Sequence, residues 1–417
     1  MSAHSSDALI IGGGAVGLCC AYYLQKANLR VTIIDQGEVG QACSLHNAGY
    51  VCPSHFIPLA APGVFTQGLK WMFNPVSPLY IKPRLNLDLL SWGWRFARSC
   101  NEKRTARAIP FLRDLLVESK QLFLNLHEQL NFPLSQDGLT VLFRTEKGKH
   151  ACAHEAELAE RLTIEAHLLD EGQLKDHERN VELIALGGLF FPGDAHLVPS
   201  AFIASMKKYL MNHGVEFFEN IELASIRMNN QRIDSIDTNA ELFTADHFVL
   251  AAGSWSSALA KKIGISMHLQ AGKGYSLTVK HPSAKPSRPY ILNERRVAIT
   301  PFNDSLRFAG TMEFAGMDST INRPRVEAIL DSVPMYFGNL PRPRFEDGET
   351  WYGFRPVTPD GLPYIGRFRE CRNLIAATGH AMLGISLSAV TGKIVSDMTQ
   401  DISSPFDLAL VHPNRFS

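Results

Sequence analysis

Ala8-Leu-Ile-Ile-Gly-Gly-Gly-Ala-Val-Gly-Leu-Cys-Cys-Ala-Tyr-Tyr-Leu-Gln-Lys-Ala-Asn-Leu-Arg-Val-Thr-Ile-Ile-Asp35 is the stretch that decides the fold class. Ala8–Ile11 is a short β-prone run, residues 15–26 follow a helical pattern, and Val31–Ile34 is a second apolar strand. Between the first strand and the helix, Gly12 to Gly17 reads G-x-G-x-x-G, a pattern that carries meaning in this strand–turn–helix–strand context. Gly12 permits the tight turn, Gly14 lets a pyrophosphate approach the backbone beside Ala15 and Val16, and Gly17 lets the helix pack close on the strand. The helix start offers its unpaired N–H groups to the phosphates. Asp35 ends the second strand where a carboxylate accepts from both ribose hydroxyls of an adenosine and repels a 2′-phosphate. The unit therefore predicts an α/β dinucleotide site, and by itself it does not separate FAD from NAD.

Two later strand-to-turn junctions repeat the arrangement. Phe248–Ala252 leads into Gly253-Ser254-Trp255-Ser256, with Ser254 placed to cap a helix. Leu374–Ala377 leads into Thr378-Gly379-His380-Ala381-Met382-Leu383-Gly384 and a helix expected from about Ile385 to Met398. The start of that helix would favour negative charge developing on a reduced flavin, a charge that nicotinamide does not develop. No second G-x-G-x-x-G follows Gly17, so no separate nicotinamide domain is expected and the electrons should come from a small-molecule substrate.

Composition narrows the remainder. The chain has 417 residues, enough for two to three domains, and 45% apolar with 20% charged residues is globular usage. Lys plus Arg and Asp plus Glu are 41 each, leaving no net field to gather a polyanion, so nucleic acid is not an expected partner. Seven cysteines without CxxC spacing suggest neither a disulfide framework nor a metal site. With a polar start from Met1 to Asp7 and no apolar run of spanning length, the expectation is a cytoplasmic protein, with peripheral contact at the inner membrane face as the alternative. The stretch 56–100 is rich in Pro, Trp and Leu. Packing is one reading of it, and a membrane face exposing Trp71, Trp92 and Trp94 for electron transfer to a quinone is the other.

Nucleotide-binding signals at both ends and in the middle imply a cofactor domain assembled from separated segments, 1–80, 150–260 and 350–417. A substrate domain would take 81–149 and 261–349, with strands at Leu277–Lys280, Val297–Pro301 and Leu306–Gly310 walling a pocket.

Trp351-Tyr-Gly-Phe-Arg-Pro-Val-Thr-Pro-Asp-Gly-Leu-Pro-Tyr-Ile-Gly366 resembles the D-amino-acid dehydrogenase branch of the D-amino-acid oxidase family of FAD enzymes. Further matches are the Gly12–Asp35 unit, the Asn47-Ala48-Gly49 turn, Ala252 to Ser256, Arg307 to Phe314 and Gly379 to Gly384. The resemblance implies a Rossmann-like FAD-binding domain interleaved with an α+β substrate domain built on a large antiparallel sheet. It adds Gln36, Ser44, Leu223 and Gly353 to the expected cofactor contacts. It also assigns Arg355, in Gly-Phe-Arg-Pro, to the substrate carboxylate, a role that suits a bidentate, permanently charged guanidinium. Tyr50, Tyr275 and His46 are carried over as neighbours of the substrate. Related sarcosine oxidases attach flavin through a cysteine near this motif, and the stretch here has none, so noncovalent FAD is expected.

The expected chemistry is oxidation of a small neutral or cyclic D-amino acid, such as D-alanine, D-proline or a hydroxyproline, with electrons passed to a quinone or other carrier. The apolar run Ile57 to Pro62 is the basis for that side-chain preference. No side-chain base is required, because the substrate amine can lose its proton before or on binding. Two alternatives stay open on sequence alone: an oxygen-using oxidase of glycine, sarcosine or D-amino acids, and a dinucleotide-binding protein without turnover.

Overall fold

The computed structural model describes residues 3–71, 77–82, 84 and 86–416. Two large sheets organise it. In the first, five strands run parallel in the order Glu216–Phe218, Val31–Ile34, Ala3–Ile11, Leu242–Leu250 and Leu374–Thr378. Strands Leu223–Asn229 and Arg232–Thr238 extend it antiparallel, and Tyr364–Arg367 pairs antiparallel with the last parallel strand. The central strands are almost wholly buried: Ala8, Leu9, Ile10, Ile33, Phe248 and Val249 are each 0% exposed, as parallel strands covered on both faces must be. Helices Ala15–Lys26, Pro199–Asn212 and Ser388–Thr399 lie on one face and share a core with it.

The second sheet is mostly antiparallel, in the order Glu349–Val357, Gln270–Lys280, Ser305–Phe314, Val297–Pro301, Tyr290–Leu292, Leu139–Phe143, Gly187–Phe191 and His167–Asp170. Strand alternation gives it two unlike faces. Tyr275, Leu277, Tyr290, Leu292, Val297, Ile299, Leu306 and Phe308 pack with Val326, Ile329 and Leu330 of helix Arg323–Leu330. The intervening residues, Ser276, Ile291, Ala298 and Ala309, face the first sheet across a cavity.

The segment boundaries read from the sequence are corrected by this topology. Residues 167–191 were assigned to the cofactor domain, yet strands His167–Asp170 and Gly187–Phe191 extend the second sheet. Strand Glu349–Val357, which carries Arg355, also belongs to the second sheet, paired along its length with Gln270–Lys280. Conversely, helix Glu102–Leu130 sits in a segment assigned to the substrate domain but packs Phe123 and Leu126 into the core of the first sheet. Each error has one cause: an apolar strand or helix looks the same whichever of two cores it enters.

Candidate active site between the two sheets

The carboxyl ends of the parallel strands converge on one crevice, where open α/β sheets bind ligands. Gly12 follows the first strand with φ +107°, and a Cβ there would meet the Ala251 carbonyl oxygen at 2.7 Å. A Cβ on Gly17 would lie 2.0 Å from the Gly12 carbonyl oxygen, so only glycine lets the helix start this close to the turn. Asp35 accepts from the Gly13 N–H at 2.7 Å and from the Gly37 N–H at 2.9 Å, which fixes its carboxylate across the turn. From a neighbouring loop the Ser44 hydroxyl accepts the Ala15 N–H at 3.0 Å, at the first turn of the helix.

From this turn a continuous cavity of about 1390 Å³ runs to the second sheet. It exceeds the roughly 300–1,000 Å³ usual for a single small ligand, and so has room for a dinucleotide together with a substrate. Gly12, Gly14, Ala15, Val16, Asp35, Gln36, Ser44, Asn47, Ala48, Leu223, Ala252, Gly253, Trp255, Gly353, His380, Met382, Leu383 and Gly384 all line it. Gly17, Gly49 and Gly379 stand behind the wall. A Cβ on Gly49 would strike the Leu197 carbonyl oxygen at 2.2 Å, and one on Gly379 the Thr358 side chain at 2.6 Å, so these two permit close packing of the wall. Three polar atoms of cavity-lining residues, His46 Nδ1, Ser276 Oγ and Thr311 Oγ1, are buried without a hydrogen-bond partner among the described residues. Buried polar atoms are ordinarily satisfied, so this wall fits a polar group such as the flavin and its substrate would supply.

Two local expectations change. Ser254 does not cap a helix: its hydroxyl donates to the Phe354 carbonyl at 3.1 Å, and a 3-10 turn at Gly253–Trp255 precedes helix Ser256–Lys261. The C-terminal helix begins at Ser388, later than expected, because a 3-10 turn at Ala381–Leu383 with Ala381 at φ 47° comes first. The cavity wall there is therefore the turn and the residues up to Ser386.

Arg355 projects from the second sheet, and its guanidinium lies over Gly274 on the adjacent strand. A Cβ at Gly274 would be 1.9 Å from Nη1. Nη1 donates to the Thr311 carbonyl at 2.8 Å, and no carboxylate pairs with the group among the described residues. Burial pushes Arg355 down to about 10, with the nearby Cys43 opposing, so the group keeps its charge at neutral pH. The Cys43 sulfur accepts the Phe354 N–H at 3.2 Å, and burial holds its thiol up, in the protonated and unreactive form.

The three aromatic neighbours fall in different places. His46 stacks on Trp351 with ring centroids 4.5 Å apart, and burial, aided by Arg307, pushes its imidazole down to about 4. Tyr50 is buried, stacks on His55 at 6.0 Å, and donates to the Tyr290 carbonyl at 3.3 Å. Tyr275 borders the cavity as well, with its ring packed in the helix-side core and its hydroxyl donating to Glu313 at 2.7 Å. Sequence reasoning missed Gly274, Ser276, Cys43 and His55. For the first there was a signal, since Gly272 and Gly274 two apart in a strand mark a close approach. The others lie in stretches whose neighbours in space are remote in sequence.

A family model described as FAD dependent oxidoreductase, DAO, matches residues 7–398. The chain belongs to the DAO family of FAD-dependent oxidoreductases. It is 32% identical to a D-amino acid dehydrogenase of Vibrio atlanticus, over 95% of this chain and 97% of that one. A D-amino acid dehydrogenase of Vibrio cholerae is 31% identical, with 96% of each covered. In structure this DAO-family chain resembles glycine oxidase from Geobacillus kaustophilus, with TM-score 0.80, 23% identity and 99% of both chains covered. It also resembles L-proline dehydrogenase from P. horikoshii, with TM-score 0.74, 18% identity and coverage of 100% and 98%. The protein is an FAD-dependent amino-acid oxidoreductase, which sets aside a dinucleotide-binding protein without turnover.

Proposed function

We propose that the protein oxidises the carbon–nitrogen bond of a small neutral or cyclic D-amino acid, of the D-alanine, D-proline or hydroxyproline type, as a dehydrogenase. The carrying observation is Arg355, a part-buried guanidinium with no carboxylate partner among the described residues, which lines the cavity between the cofactor turn and the sheet. Such a group binds a substrate carboxylate through two parallel, charge-assisted hydrogen bonds. FAD bound along the glycine turn supplies the hydride acceptor. The chain's own part is positioning. Arg355 fixes the carboxylate, and Gly274 leaves room for the guanidinium. Ile57, Pro58, Leu59 and Ala61 give the cavity an apolar border, which favours a neutral substrate. The released imine hydrolyses to a keto acid, or remains a cyclic imine when the substrate is a ring.

The D configuration rests on the names of the Vibrio relatives. A quinone or soluble carrier as acceptor is favoured over oxygen by the same names and by helix Leu87–Ser99, which exposes Leu87, Leu90 and Trp94 in the manner of a membrane-facing surface. The test is anaerobic reduction of the bound flavin by D- and L-amino acids, in the native protein and in Arg355→Leu and Arg355→Lys. Loss of a buried charge pair costs about 2–5 kcal/mol, so Arg355→Leu should raise the half-saturating D-alanine concentration by roughly 30-fold or more, with Lys intermediate. Unchanged saturation would remove Arg355 from the carboxylate. Stoichiometric peroxide in air would make the protein an oxidase.

A further inference from the structure

One cross-strand row floors the cavity. Ser276 pairs with Ala309, Ala309 with Ala298, Ala298 with Ile291, and Ile291 with Val141, and all five line the cavity. At about 4.8 Å per strand the row spans roughly 19 Å. It is longer than a small amino acid, and the two alanines at its centre leave a trench. One end, Ser276, lies two residues along the strand from Gly274, over which the Arg355 guanidinium sits. The other runs under helix Glu146–Arg161, where Glu155 enters the wall together with Asn293 and Arg296. Glu155 makes no hydrogen bond or ion pair with a described residue, and the Arg296 charge is felt there without ion-pair contact. Burial, joined by the nearby Asp194 charge and opposed by Arg296, pushes the half-buried Glu155 carboxyl up to about 7.

We propose that this arm of the cavity is a side-chain subsite, in which Glu155 accepts a hydrogen bond from the uncharged polar tip of an extended D-amino acid side chain, a carboxamide or hydroxyl. Asn293 and Arg296 supply the donors for the same tip. An anionic tip is opposed by Glu155 and the nearby Asp194. The inference rests on the carboxylate end of the function proposed above and extends its side-chain end, with Glu155 as a specificity-determining residue.

The experiment compares near-isosteric pairs, D-glutamine against D-methionine and D-5-hydroxynorvaline against D-norleucine, with D-alanine as the short reference. The readouts are anaerobic flavin reduction and perturbation of the flavin spectrum on binding. The polar member of at least one pair should show kcat/KM about tenfold higher. That preference should vanish in Glu155→Leu and survive largely in Glu155→Gln, with D-alanine turnover and flavin content unchanged in both. Equal rates within both pairs while D-alanine still reduces the flavin, or a preference that persists in Glu155→Leu, would overturn the subsite and leave the trench as an access path. Failure of every D-amino acid to reduce the flavin would overturn the parent function and the subsite together.

Discussion

Gly274 and Tyr275 are neighbours in the chain and lie on opposite sides of one strand, and that alternation sorts the site. Gly274 faces the cavity and carries the Arg355 guanidinium, whereas Tyr275 faces the helix and donates to the buried Glu313. The resemblance identifies residue types in order and says nothing of which face a side chain takes. Tyr275→Phe tests whether this hydroxyl serves the fold or the substrate. It leaves the 4%-exposed Glu313 one donor short, at a cost of about 1–3 kcal/mol. Denaturant melts should register that loss, while substrate saturation in flavin reduction stays as in the native protein. A raised half-saturation with unchanged stability would return the tyrosine to the substrate. Arg355 was legible because a Gly-Phe-Arg-Pro run is specific; Ser276 and Glu155 were not, since a lone serine in a strand or glutamate in a helix carries no local mark.

Helix Leu87–Ser99 shows how an element divides a reading that its sequence left whole. Its aromatic residues were open to packing or to a membrane role, and the two tryptophans within it separate. Trp92 is 3% exposed and donates its indole N–H to the Val357 carbonyl at 2.9 Å, so it packs. Trp94 is 56% exposed, with Leu90 and Leu87 on the same side at helical spacing, and Arg98 lies over its ring at 4.6 Å. The side chain of Trp71 lies outside the described residues. No described helix is long and apolar enough to cross a membrane, so contact through this helix would be in the interfacial plane, with Arg95 and Arg98 beside the aromatic group. Co-sedimentation with vesicles containing anionic lipid should therefore fall several-fold in Leu90→Ser/Trp94→Ser, with flavin content unchanged because neither residue borders the cavity. Equal sedimentation of both forms would remove the helix from any such contact.

Across the whole molecule the buried titratable groups set the response to pH. Burial pushes His46, His55 and His177 down to about 4 and His380 to about 3. Each binds its proton in the unfolded chain near pH 6.5 but not in the folded one, so stability falls as pH drops from about 6.5 to 4. Asp194 and Glu155, pushed up to about 6 and 7, act in the opposite sense and gain stability as pH falls through those values. Burial also lowers His196, His247, His268 and His412, so the histidines outweigh the two carboxyls and give a net loss. The melting temperature of the flavin-loaded protein at constant ionic strength should drop between pH 6.5 and 4.5, and a flat or rising profile would show that the carboxyls dominate.

The sequence by itself determined the dinucleotide turn and the strand-and-helix unit around it, since glycine spacing, strand apolarity and the terminal Asp35 act over a few dozen residues of local chain. It also determined the family, through motifs whose order survives wherever they fold. Only the tertiary structure decided which sheet each later strand joins, which face of strand Gln270–Lys280 meets the cavity, and that Arg355, Cys43, Ser276 and Glu155 border one space. Those are matters of pairing and register between remote segments, and a two-residue strand period specifies alternation without specifying which side is filled.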